Sequence, residues 1–110
     1  MAGLNERESA AVHDLVDRLR RRLGKRLVEV RLYGSKARRT DTVESDIDLA
    51  VIVGRVTPQL REMVFTEVSD VIIEHDVFMD VHIVSTVHIR RLRRIGAPYA
   101  RNLDREGIAL

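Results

Sequence analysis

Three aspartates stand among apolar neighbours, and their spacing could support metal chemistry. Asp46 and Asp48 lie two apart at the mouth of the apolar run Ile47 to Val53. In a strand, residues two apart project to one face. Two carboxylates side by side in apolar surroundings repel each other unless one is protonated or a cation sits between them. Hard oxygen donors of this kind suit magnesium, commonly held by one or two carboxylates together with substrate phosphate oxygens. Asp80 repeats the anomaly between Phe78, Met79, Val81 and Ile83. It completes a three-acid cluster if its strand neighbours that of Asp48. Asp76 competes for third place, but it precedes the strand, where a turn role is more natural. The chain has no cysteine, so a metal must sit on oxygen or imidazole.

Gly34-Ser35 supplies the other half of a site. Glycine lets the chain turn sharply and brings backbone close to a ligand. A serine opening a helix offers its hydroxyl and nearby N–H groups to an anion. Lys36 and Arg38 lie close enough in sequence to neutralise phosphate charge, and they read equally as solvated basic residues. His82 shares a strand face with Asp80, yet a packed or half-exposed histidine is the plainer reading. His13, His75 and His88 show no metal-ligand spacing with one another. Alone, Gly-Ser is an ordinary turn and Asp-x-Asp a surface loop or cap. Gly-Ser, ten residues, Asp-x-Asp opening a buried strand, and a third acid in a later strand form a joint pattern that those readings do not explain.

The elements that must position these residues are legible from periodicity. A helix starts at Asn5, with Glu8 three residues on as in a capping box. Val12, Leu15, Val16, Leu19 and Leu23 give its apolar stripe, and Gly24 its stop. Leu27 to Tyr33 reads as a strand ending at Gly34-Ser35, followed by a short helix from Ser35 into Arg39 and a polar loop from Thr40 to Ser45. Ile47 to Val53 is nearly continuous in apolar residues, which predicts burial on both faces and a central place in the sheet. Thr57 and Pro58 cap and open a helix striped with Leu60, Met63, Val64, Val68, Val71 and Ile72. Val77 to Val84 forms the third strand. Ser85 or Thr86 caps a helix carrying Ile89, Leu92 and Ile95, ended by Gly96, and a last helical piece spans Tyr99 to Arg105. This order predicts an α+β domain, with a mixed sheet of three or four strands packed with helices.

At these residues the chain resembles the DNA polymerase β-type nucleotidyltransferase superfamily, whose signature is Gly-Ser, ten residues, then Asp-x-Asp. More narrowly it is similar to the minimal nucleotidyltransferases, with their Gly-Ser-x-Ala-Arg start and Ser-Asp-Ile-Asp-Leu strand. The likeness extends to Tyr99-Ala-Arg-Asn-Leu-Asp-Arg-Glu-Gly107. The resemblance implies the polymerase β-like nucleotidyltransferase fold. It also implies two Mg2+ ions on Asp46, Asp48 and Asp80, with Asp80 helping to deprotonate the attacking hydroxyl. Nucleotide contacts would come from Gly34, Ser35, Lys36, Arg38 and Ser45, with ATP as substrate. Such proteins pair with a HEPN-type ribonuclease toxin in a hetero-oligomer and act as its antitoxin. What is implied here is AMP transfer to a hydroxyl of that partner, usually a tyrosine. One departure is Arg39, where the family usually has glycine, and it bears on loop geometry rather than on the acids.

Composition bounds the alternatives. At 110 residues, with 45% apolar and 33% charged residues, the chain reads as one domain covering residues 1–110. No apolar run is long enough to span a bilayer, and the charged start is not a signal peptide, so a cytoplasmic setting is the default expectation. Net charge is only +2. The positive charge is concentrated late, where Arg90, Arg91, Arg93, Arg94, Arg101 and Arg105 face only Asp104 and Glu106, a stretch suited to an anionic partner. Direct nucleic-acid binding is not expected, because the aromatic residues Tyr33, Phe65, Phe78 and Tyr99 are few and mostly look buried. Two rival roles stand: transfer to a small molecule, which 110 residues could not easily enclose, and a non-catalytic toxin-binding module, for which three retained acids have no reason.

Overall fold

The computed structural model describes residues 3–38 and 46–110, with the side chains of Ser35 and Arg38 left aside. Arg39, the expected loop from Thr40 and Ser45 therefore lie outside the described residues. The elements are α1 (Glu6–Leu23), a 3-10 turn (Gly24–Arg26), β1 (Leu27–Tyr33), α2 (Ser35–Arg38), β2 (Ile47–Val53), α3 (Pro58–His75), β3 (Met79–Ser85), α4 (Thr86–Arg94), α5 (Pro98–Glu106) and β4 (Ile108–Ala109).

Local chemistry accounts for most of these boundaries. The Asn5 side chain accepts from the Glu8 N–H while Glu8 accepts from the Asn5 N–H, completing the capping box of α1. Thr57 accepts from the Leu60 N–H with Pro58 opening α3, and Ser85 accepts from the His88 N–H at the start of α4. Asp76 closes α3 in a left-handed conformation, with its carboxyl almost fully exposed. It is a turn residue, as its position before the strand suggests. Two residues of β3 differ from expectation: pairing begins at Met79, because Val77 and Phe78 are still emerging from the Asp76 turn.

The sheet is mixed, in the order β3-β2-β1-β4. β1 runs antiparallel to β2 and to β4, while β2 and β3 are parallel. A parallel pair needs a crossover, and α3 provides it. Helices α1 and α3 cover one face, where Leu15, Leu19, Leu32, Leu49, Val51, Leu60 and Val64 are sealed from solvent. On the other face, α4 and α5 bury Ile89, Ala100 and Leu103 against Ala50, Ile52 and Val84. β2 is thus covered on both sides, which is why its sequence lacks alternation.

One buried polar contact ties the layers to the Gly34-Ser35 turn. Lys36 is 4% exposed, and its ammonium lies 3.1 Å from the Glu8 carboxylate at the start of α1. The Gly3 N–H also donates to the Lys36 carbonyl at 2.8 Å. Breaking a largely buried pair leaves the remaining charge poorly solvated. Lys36→Met is expected to lower unfolding free energy by about 3 kcal/mol, read as a shift of the urea midpoint, with Glu8→Gln in the same background recovering part of the loss.

Candidate active site

The site is built across three strands. In the parallel register Asp48 stands opposite Asp80, and in the antiparallel register Tyr33 stands opposite Asp48. Directly paired residues share a face, with strands about 4.8 Å apart. Asp48 has the parity of Ala50 and Ile52, so this row projects on the α4/α5 side, beyond the end of the small core there. Asp46 is exposed and lies just before β2, one residue outside the strand. The structure therefore brings Asp48 and Asp80 together at one end of the sheet. The adjacency of β2 and β3, which no sequence spacing could show, makes the pair.

Gly34 follows directly. Its φ is +76°, in the left-handed region, and a Cβ placed on it would lie 2.6 Å from the Asp48 Oδ2. Both observations require glycine. The turn thus presses backbone against a carboxylate of the pair. Ser35 begins α2 beside it. Lys36 reaches the start of α1, where its ammonium meets the Glu8 carboxylate. The Arg38 side chain and Ser45 lie outside what the structure describes.

Surrounding groups report the field of the acids. Tyr33 is pushed well above the ordinary phenol range, first by burial, then by Tyr99 and by the negative charges of Asp48 and Asp80. Tyr99, raised by burial, meets Tyr33 edge to face with ring centroids 5.8 Å apart. His82 is half-exposed, as expected for an edge position, and its Nε2 lies 3.4 Å from the Asp80 Oδ2. It also meets the Tyr33 ring edge-on at 6.3 Å. The sequence had not singled out Tyr33 as part of this site, although it immediately precedes Gly34-Ser35.

The donor set fits a hard divalent cation. The facing carboxylates of Asp48 and Asp80 supply oxygen only, and a positive ion between them would offset their mutual repulsion. Among the described residues, the three potential ligands that already lie within reach of one ion are Asp14, Glu74 and His75, between α1 and α3 on the opposite layer. There His75 Nε2 is 2.8 Å from Asp14 Oδ2, and Arg18 binds both Asp14 and Glu74. Hydrogen bonds from Arg18, then His75, hold the Asp14 carboxyl below its ordinary value. The guanidinium already neutralises that cluster. His75 has carboxylates as neighbours rather than other histidines.

Aromatic exposure differs from expectation. Phe78 is 64% and Phe65 38% exposed. The sheet ends at β3, so no further layer covers them.

Comparisons with known proteins follow from this geometry. A comparison with curated proteins by sequence finds no match. Among solved structures, a chain of a toxin–antitoxin crystal structure with AMP-PNP is 21% identical, with TM-score 0.58 over 88% of this chain and 69% of that one. A mutant of the toxin–antitoxin MntA-HpeT is 23% identical, with TM-score 0.57 over 97% of this chain and 72% of that chain. A second MntA-HpeT mutant is 20% identical, with TM-score 0.56 over 96% and 71%. At these identities the likeness is one of fold, and it agrees with the α+β, polymerase β-like architecture. Residues 12–103, a span containing Gly34 and all three aspartates, match the nucleotidyltransferase domain family, and the chain belongs to it.

Proposed function

We propose that the chain transfers AMP from ATP to a hydroxyl, a tyrosine in the leading case, of a HEPN-type ribonuclease toxin, and so neutralises it. The observation that carries this reading is the Asp48–Asp80 pair in register, with Gly34 packed against Asp48. Membership of the nucleotidyltransferase family supports the reaction class. Toxin–antitoxin structures among those of like fold, one of them with AMP-PNP, support the setting.

In this mechanism Asp46, Asp48 and Asp80 would hold two Mg2+ ions, which would supply charge neutralisation for the triphosphate and for the attacking and leaving oxygens. Gly34 and Ser35 place backbone and hydroxyl donors against the phosphate tail, with Arg38 and Ser45 as further contacts. Lys36, a further nucleotide contact in this reading, also anchors the turn through Glu8. The acceptor oxygen attacks the α-phosphorus in line, the bond to the β-phosphate oxygen breaks, and pyrophosphate leaves. Asp80, the acid on the open strand, takes the hydroxyl proton. Much of the rate comes from holding the reactants in that geometry.

The test combines the protein with magnesium, ATP labelled in the α-phosphate, and the protein encoded beside it. Label is expected on that neighbour, and ribonuclease inhibition is expected to require ATP. Inhibition at equal stoichiometry without ATP would instead support simple occlusion, and label on a drug rather than on protein would support a small-molecule enzyme. Among the described residues no helix is long and apolar enough to cross a membrane.

A further inference from the structure

β3 carries Asp80 and is an edge strand: among the described residues nothing pairs with its outer side. A free edge presents a row of unsatisfied N–H and C=O groups, and proteins ordinarily blunt it with lysine, proline or a covering element. Met79–Ser85 contains neither lysine nor proline. Its only acid is Asp80, which already belongs to the pair with Asp48. Along this edge runs a groove of about 380 Å³ lined by Arg61 and Phe65 of α3, residues 81–84 of β3, and His88, Leu92 and Tyr99 of the other layer. A lining drawn from both helical layers means that the groove wraps the strand edge.

We propose that this groove receives an extended, acidic segment of the polypeptide acceptor, which pairs with β3 as a fifth strand and presents its hydroxyl to Asp80. The proposal rests on the reading that the chain modifies a protein, and it names how the substrate is held. An added strand lies about 4.8 Å from β3, and the residue opposite Asp80 projects on the face of Asp48 and Asp80. A serine or threonine there reaches Asp80 directly, and a tyrosine reaches it from the diagonal position. The groove also has a charge preference. Arg61 carries a permanent positive charge, stacked over Phe65 at 5.5 Å, and no carboxylate is among the lining residues. Residues of the added strand facing the other way would meet Phe65, which is exposed without such a partner. Main-chain pairing gives affinity in this mode and alternate side chains give specificity.

The probe is a nine-residue synthetic peptide, capped at both ends, with glutamate and valine alternating around a central tyrosine so that the glutamates lie on the face opposite the tyrosine, toward Arg61 and Phe65. Amide hydrogen exchange of the intact chain is followed with the peptide at millimolar concentration. Exchange at 79–85 is expected to slow at least tenfold, and to be unchanged by a lysine-for-glutamate peptide or one with alternate backbone amides methylated. Arg61→Glu and Phe65→Asp should each weaken the protection tenfold. Equal protection by the methylated peptide, protection confined elsewhere, or none overturns the proposal. Labelled ATP and magnesium then separate the two readings. Protection of β3 without labelling upholds the docking mode and counts against transfer to protein; labelling without protection of β3 overturns the docking mode alone.

Discussion

Replacing Asp48 by asparagine is expected to lower AMP transfer about a thousandfold while leaving the fold intact. The carboxylate stands opposite Asp80, so it is placed to share a cation with it. Charge stabilisation by a bound metal is worth several kcal/mol, and each ~1.4 kcal/mol is a factor of ten in rate. Asparagine keeps the shape and one acceptor oxygen but forfeits the charge. Asparagine is close to isosteric with aspartate, so the variant should still unfold in one cooperative transition. Single-turnover transfer and melting measured together check both halves. A variant that melts normally and still transfers at the parent rate would remove Asp48 from the catalytic assignment. The double change with Asp46→Asn should abolish transfer altogether.

Gly34→Ala should damage the site almost as severely, by a different route. The new Cβ would need a position 2.6 Å from the Asp48 Oδ2, and the backbone there holds φ at +76°. A non-glycine residue in the left-handed region costs roughly 1–2 kcal/mol. The clash must then be relieved by moving either the turn or the Asp48 carboxylate. We expect unfolding free energy to drop by about 2 kcal/mol and transfer to fall at least a hundredfold, through misplaced metal ligands. Calorimetry and the labelled-ATP assay separate the effects. Equal activity in the alanine variant would mean that the close approach to Asp48 is dispensable.

The glycine illustrates how far residue types alone carry the argument. Gly-Ser announced a turn, but its contact with Asp48 depends on β1 and β2 lying side by side. The capping box at Asn5, the Thr57-Pro58 start of α3 and the doubly buried β2 are local or periodic features, so they were readable residue by residue. The two-residue β4 was not, because it is too short to show a period and exists only through its pairing with Leu32 and Arg31. The contact of Lys36 with Glu8, a residue from the start of α1, was likewise not readable, because it joins positions far apart in sequence.

By itself, then, the sequence determined most of the helices and strands, and it named the acids whose chemistry suits a hard cation. These depend on side-chain chemistry and on the two- and 3.6-residue periods, which are local. Tertiary structure alone decided that Asp80 stands beside Asp48, that Lys36 meets Glu8, and that the strand bearing Asp80 has an open edge among the described residues. Pairing partners and layer assignments are set by burying apolar faces across long sequence separations, and no local pattern encodes them.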